Sequence, residues 1–153
     1  MTGIHWYLFL IYDSNKAGDI MEEVKRLTID EIEKLYEQYL DVLKEYLVLQ
    51  NLSKKTIDRT LHRAGDFLYG YLNYNEPLDI HQGVNEISYF FSYHAPYKFW
   101  SSPAKIREYA TAVKKLYLAM NHAGIVSAEE LDLVLESIQD ELDVLRNQEK
   151  AEE

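Results

Sequence analysis

The sequence predicts an all-α protein, a bundle of four to five helices. Three observations carry that expectation. Apolar residues recur at intervals of three and four in five separate stretches. Ser or Thr stands directly before four of those stretches, as a helix N-cap does. The 153 residues hold only three prolines and six glycines, so few positions force the chain to break.

The first helix opens at Thr28, with Glu31 three residues on in a capping-box pattern. Ile32, Leu35, Tyr39, Leu43, Tyr46 and Leu49 then form its apolar stripe. The second opens at Ser53 and carries Ile57, Leu61, Ala64, Leu68 and Tyr71 on one face, ending near Asn73 to Pro77. The third begins around Asp79, turns Ile80, Val84, Ile87 and Phe91 inward, and stops before Pro96, which has no N–H for the ladder. An aromatic loop, Ala95 to Ser101, follows and contains Tyr97, Phe99 and Trp100. The fourth helix starts at Ser102 with Pro103 in the first helical position, where a fixed φ is favourable. Ile106, Ala110, Val113, Tyr117 and Met120 face inward, and Gly124 is the expected left-handed residue at its end. The fifth opens at Ser127 with Glu130, a second capping box, and runs through Leu131, Val134, Ile138, Leu142 and Leu145.

The expected organisation is one domain. Residues 27–126 form a helical core, 127–148 a C-terminal amphipathic helix and 149–153 a frayed acidic tail. Residues 1–26 stand apart, with an aromatic run and then a polar stretch from Asp13 to Asp19. Met21-Glu-Glu-Val-Lys has the look of a chain start. Two readings follow: an extended start site, or an extra strand or short helix packed on the core. The longest apolar run, Ile4 to Tyr12, is too short to span a bilayer and lacks the flanks of a signal peptide. With no cysteine, disulfides and thiolate chemistry are excluded, and a reducing, cytoplasmic setting is expected.

The net charge is −10, but it is uneven. Between Ser53 and Lys115 nine Lys and Arg face six Asp and Glu, whereas residues 116–153 hold two against ten. Lys54, Lys55, Arg59 and Arg63 flank the second helix; Lys105, Arg107, Lys114 and Lys115 flank the fourth. Cations on two rigid helices are what phosphate binding requires, since each neutralised phosphate releases counterions. They are equally what the solvated face of an amphipathic helix looks like, and Asp58, Asp66 and Glu108 interrupt them.

Thirteen tyrosines are present, and Tyr69, Tyr71, Tyr74, Tyr89, Tyr93 and Tyr97 cluster around the second and third helices. The plain reading is core filling with hydroxyls reaching the surface; such a stripe could also stack bases or anchor a partner protein. Tyr97, Phe99 and Trp100, in the loop, are the candidates for partner contact. The five histidines have no metal-ligand spacing; His62 with Asp66 and His81 with Asn85 read as surface pairs. There is no Gly-x-Ser-x-Gly and no glycine-rich phosphate loop, so no catalysis and no cofactor is expected. On the fifth helix the stripe through Leu131, Ile138 and Leu142 has a heptad-like spacing. It can pack back on the first helix or make a homodimer.

Two stretches carry a resemblance. One is Tyr46-Leu-Val-Leu-Gln-Asn-Leu-Ser-Lys-Lys-Thr-Ile-Asp-Arg59 followed by Asp66-Phe-Leu-Tyr69. The other is Ser102-Pro-Ala-Lys-Ile-Arg-Glu-Tyr-Ala-Thr-Ala-Val-Lys-Lys-Leu-Tyr117 with Ala123-Gly-Ile-Val126. Over residues 35–128 they resemble the N-terminal core-binding domain of tyrosine recombinases, the SAM-like domain of phage integrases. The resemblance implies an orthogonal helical bundle that clamps duplex DNA. It implies phosphate or groove contacts at Lys54, Lys55, Arg59, Lys105, Arg107, Lys114 and Lys115. The family's catalytic half has no counterpart, and no histidine begins a His-x-x-Arg motif. The expectation is therefore a non-catalytic DNA-binding domain, accessory to or a remnant of DNA integration and recombination. The alternative is an acidic protein-interaction module that kept the fold without DNA affinity. Geometry separates the two: cations on one concave surface favour DNA, and acids among them favour the alternative.

Overall fold

The computed structural model describes residues 28–74 and 76–152. The expectations for residues 1–26 lie outside them. Among the described residues every regular element is helical, so the chain is all-α as expected. Helix α1 spans Ile29–Leu49 and α2 spans Lys54–Gly65. The second rod continues past Gly65 as a π-helical stretch, Asp66–Leu72. The third rod is composite: α3 (Ile80–Gly83), a 3-10 turn (Val84–Glu86), α4 (Ile87–Tyr89) and a second π-helical stretch (Phe90–Lys98). Helices α5 (Pro103–His122) and α6 (Ala128–Ala151) complete the bundle.

The caps form where the sequence places them. Thr28, Ser53, Ser102 and Ser127 each accept a hydrogen bond from the backbone N–H three residues on. Glu130 also reaches back to the Ser127 N–H, closing the second capping box. Each such cap contributes about 1 kcal/mol. Gly124 has φ 77° and ends α5 in a Schellman motif, with Ile125 N–H donating to Met120 and Gly124 N–H to Asn121.

Helix α5 is the centre of the bundle. It packs on α1, α2 and α6, and buries Tyr109, Ala110, Val113, Leu116, Tyr117 and Met120. The stripe of α1 is Ile32, Tyr36, Tyr39, Leu43 and Leu47, all fully buried. Burying each of these aliphatic side chains contributes about 1.5–3 kcal/mol. Leu49, expected inward, is 73% exposed. It lies roughly 100° round the helix from Ile32 at 3.6 residues per turn, while Leu47 stays near the stripe.

The π-helical stretches alter the two predicted middle helices. In the second rod the wider turn brings Phe67, Leu68 and Leu72 inward, with Asn73 N–H donating to Leu68 over the longer reach. In the third rod the helix does not stop before Pro96. Proline cannot donate to the ordinary ladder, and the turn widens around it, closing with Phe99 N–H to His94 and Ser101 N–H to Ala95. The expected loop shrinks to Phe99–Ser102, and Tyr97 belongs to a helix.

Gly83 is where the third rod meets α5. A Cβ there would stand 2.6 Å from the Tyr117 hydroxyl, itself buried and donating to the Ile80 carbonyl at 2.9 Å. Gly83→Ala is expected to cost about 1–3 kcal/mol by overpacking, read as a lower urea midpoint with an unchanged slope. An unaltered midpoint would show that the rod slides away freely.

Candidate functional site

Helix α6 packs on α5 and the third rod, rather than back on α1. Ile138 is 4% exposed, and Leu131 and Leu142 pack against the core, so the heptad-like stripe is used inside the protein. Leu131, Ile138 and Leu142 are thus engaged within the protein rather than offered as the alternative dimer seam. Leu142→Asp should lower the melting temperature while leaving the mass in solution unchanged, as light scattering would show. The helix also runs through the expected tail to Ala151, and Glu149 accepts from Arg107.

The eight predicted DNA contacts are split by α5. Arg63 leans from α2 onto α5, where it pairs with Glu108 at 3.0 Å and lies over the Tyr109 ring. Arg107 and Lys114 lie on the flank facing α6, lining a groove of about 550 Å³ with Asp143 and Arg146. There Arg107 pairs with Glu149, and Arg146 with Asp143 at 2.7 Å. Lys105 sits in the first turn of α5, and Lys115 is half-buried. Lys54, Lys55 and Arg59 are exposed on α2, and none of the three is in an ion pair among the described residues. Acids therefore stand among the cations.

The aromatic residues are distributed differently from the sequence expectation. Phe99 packs inward, so close to Gly70 that an added Cβ there would meet its ring at 2.8 Å. Trp100, in contrast, is 87% exposed at a left-handed φ of 52°. Of the six clustered tyrosines, Tyr69, Tyr74, Tyr89, Tyr93 and Tyr97 are exposed, and core filling describes only the half-buried Tyr71. Tyr89, Tyr93 and Tyr97 follow one another along the third rod, with ring centroids 5.0 and 5.4 Å apart. Tyr71 stacks on Tyr89 at 6.3 Å from the facing π-helical stretch. Between the two stretches lies a groove of about 450 Å³, lined by Tyr71, Tyr74, Glu76, Glu86, Tyr89, Tyr93, His94 and Lys98. Tyr71 donates to Glu86 at 3.2 Å, and the Lys98 ammonium lies over the Tyr74 ring at 5.8 Å.

His94, 3% exposed, closes one side of this groove among the rings of Tyr71, Tyr74 and Phe99. Its Nε2 is buried without a hydrogen-bond partner. Burial pushes its pKa below the ordinary histidine value and Lys98 adds to the effect, against a hydrogen bond to the Gly70 backbone. Burial raises the Tyr71 phenol, and the neighbouring Glu86 raises it further. Sequence reasoning passed over His94 and Glu86. The available signal was the four-residue spacing of Tyr89, Tyr93 and Tyr97, offset from the apolar stripe of Ile87 and Phe91.

His62 lies 4.0 Å from Asp66 as expected, but His81 contacts Glu130 on α6 at 2.8 Å. Burial alone would raise the Glu130 carboxyl; the His81 contact and the hydrogen bonds from Ser127 hold it below its ordinary value.

An acid-side loss of stability follows from both groups. The unfolded chain protonates His94 near pH 6.5, whereas the fold resists that proton, so the fold weakens as pH drops below that value. Glu130 adds a second loss lower down, as pH falls through the carboxylate range towards its depressed folded value. Urea midpoints measured from pH 7 to 3 should fall in these two steps, and His94→Phe should remove the upper one. A variant curve parallel to the parent's would contradict this account.

Among the described residues no cluster of three or more His, Cys, Asp or Glu can hold a metal ion, and no helix is long and apolar enough to cross a membrane. Comparison with known proteins finds no match to this chain among family models, curated proteins or solved structures.

Proposed function

We propose that the protein is a non-catalytic helical binding module whose partner is another protein, engaged through the tyrosine-bearing face of the two π-helical stretches. The observation that carries this reading is the contrast between its two polar faces. Of the cations on α2 and α5, Arg63 pairs with Glu108 and Arg107 with Glu149, and Asp143 lines the groove beside Lys114. Tyr89, Tyr93 and Tyr97 gather along one rod beside Tyr71, ring against ring. Tyrosine is enriched at protein interfaces because it buries a large area while fixing only two side-chain torsions.

A second reading has its own support. Lys54, Lys55 and Arg59 are exposed beside the Leu-Ser-Lys-Lys-Thr step that carries the resemblance to recombinase core-binding domains. On that reading the module holds duplex DNA through phosphates, in the setting of integration or recombination.

Photo-crosslinking amino acids placed at Tyr93 or at Arg59, in cells of the native source, separate the two. The proposal expects protease-sensitive, nuclease-resistant adducts from position 93 and none from position 59. Nuclease-sensitive adducts at Arg59, with steeply salt-dependent binding to a random duplex, would replace the protein reading with the DNA one.

A further inference from the structure

We infer that the groove between the two π-helical stretches takes a cationic side chain, an arginine or lysine presented by the partner. This rests on the protein-interaction reading and names the chemistry of the same face. Aromatic faces carry the negative lobe of the ring quadrupole, so a cation over a tyrosine ring is attracted to it. Four such rings line this groove, from Tyr71, Tyr74, Tyr89 and Tyr93. Two carboxylates, Glu76 and Glu86, line it as well, and the chain as a whole carries −10. The groove already shows the preference in miniature: the protein's own Lys98 lies over Tyr74 at 5.8 Å. An incoming guanidinium can stack on Tyr89 and Tyr93 while pairing with Glu86. A phosphate-bearing strand would meet two carboxylates against the single Lys98 ammonium and be repelled on balance, which sets this groove apart from a base-stacking platform.

The probe is a capped Gly-Arg-Gly peptide, with its citrulline counterpart as an uncharged match in shape. Ring proton and backbone amide shifts of the intact protein are followed by two-dimensional NMR during titration. The expected result is saturable shifts confined to the groove tyrosines, about tenfold weaker for the citrulline peptide. Tyr89→Ala should weaken arginine binding to a similar degree. Glu136→Gln, an acid on α6 away from the groove, should leave it unchanged. Equal binding of the two peptides, shifts spread along the acids of α6, or preference for an oligothymidine would overturn the inference. Tyr89→Phe keeps the ring and so controls for folding; loss of binding in it would also overturn the inference. If position 93 crosslinks a protein and the arginine peptide fails, only the cationic chemistry falls. If the peptide binds and position 93 crosslinks nothing, the groove stands as a cation site and the interaction reading falls.

Discussion

Replacing Phe67 by alanine should destabilise the protein by about 3–5 kcal/mol, the largest effect expected of a single truncation in this core. Phe67 is fully buried in the π-helical stretch after α2. Its ring meets Phe90 edge-on at 5.1 Å, Tyr117 at 6.3 Å and Tyr71 at 6.0 Å. It therefore ties the second rod to both the third rod and α5. Alanine removes the transfer free energy of the ring and leaves a cavity whose walls are themselves aromatic and slow to close. For a chain of this size the melting temperature should drop by roughly 10 °C. Leu133→Ala, on the exposed side of α6, should change stability by less than about 0.5 kcal/mol and serves as the comparison. A Phe67→Ala loss as small as the control's would mean that the rods are not joined through this ring.

Asp79→Ala should rank second, at about 1–3 kcal/mol, because it strands a buried hydrogen-bond donor. Asp79 is buried at the start of α3, where its backbone N–H donates to Gln82 at 2.9 Å. Its Oδ1 accepts from the Tyr39 hydroxyl at 2.5 Å, across from α1. Removing the carboxyl leaves a buried phenol without an acceptor, while the Asp79 N–H keeps its bond to Gln82. Burial raises the Tyr39 phenol far above its ordinary value, and the Asp79 charge and hydrogen bond raise it further. Tyr36, donating to the Leu78 carbonyl, and Tyr117 are raised for the same first reason, burial. A double-mutant cycle checks the pairing: Tyr39→Phe should cost markedly less in the Asp79→Ala background than in the parent. Additive losses would show that the two groups act independently.

Helix existence and helix starts were legible in the sequence because they depend on local chemistry. A hydroxyl at Thr28, Ser53, Ser102 or Ser127 needs only the next three residues to form its bond. Gly124 likewise announces a left-handed residue by itself. What was not legible depends on more than one segment. Counting at 3.6 residues per turn left Phe67 out of the second stripe and ended the third helix at Pro96, since a widened turn changes the period without changing composition. The candidate cations showed the same limit: that Glu108 reaches Arg63, and Glu149 reaches Arg107, is decided by partners more than forty residues apart. The tyrosines were visible as a cluster. Their exposure was not, because it follows from how the two π-helical stretches face each other.

Those two stretches have an evolutionary reading as well. A π-type turn closes over one more residue than an α-turn, so in the gene it is equivalent to gaining a single codon inside a helix. Such a gain rotates every later side chain on that rod while the rest of the bundle keeps its register. Asp66–Leu72 and Phe90–Lys98 each carry rings of the groove. One-codon steps on neighbouring rods are thus a short mutational route by which a plain helical scaffold acquires a recognition face without rebuilding its core.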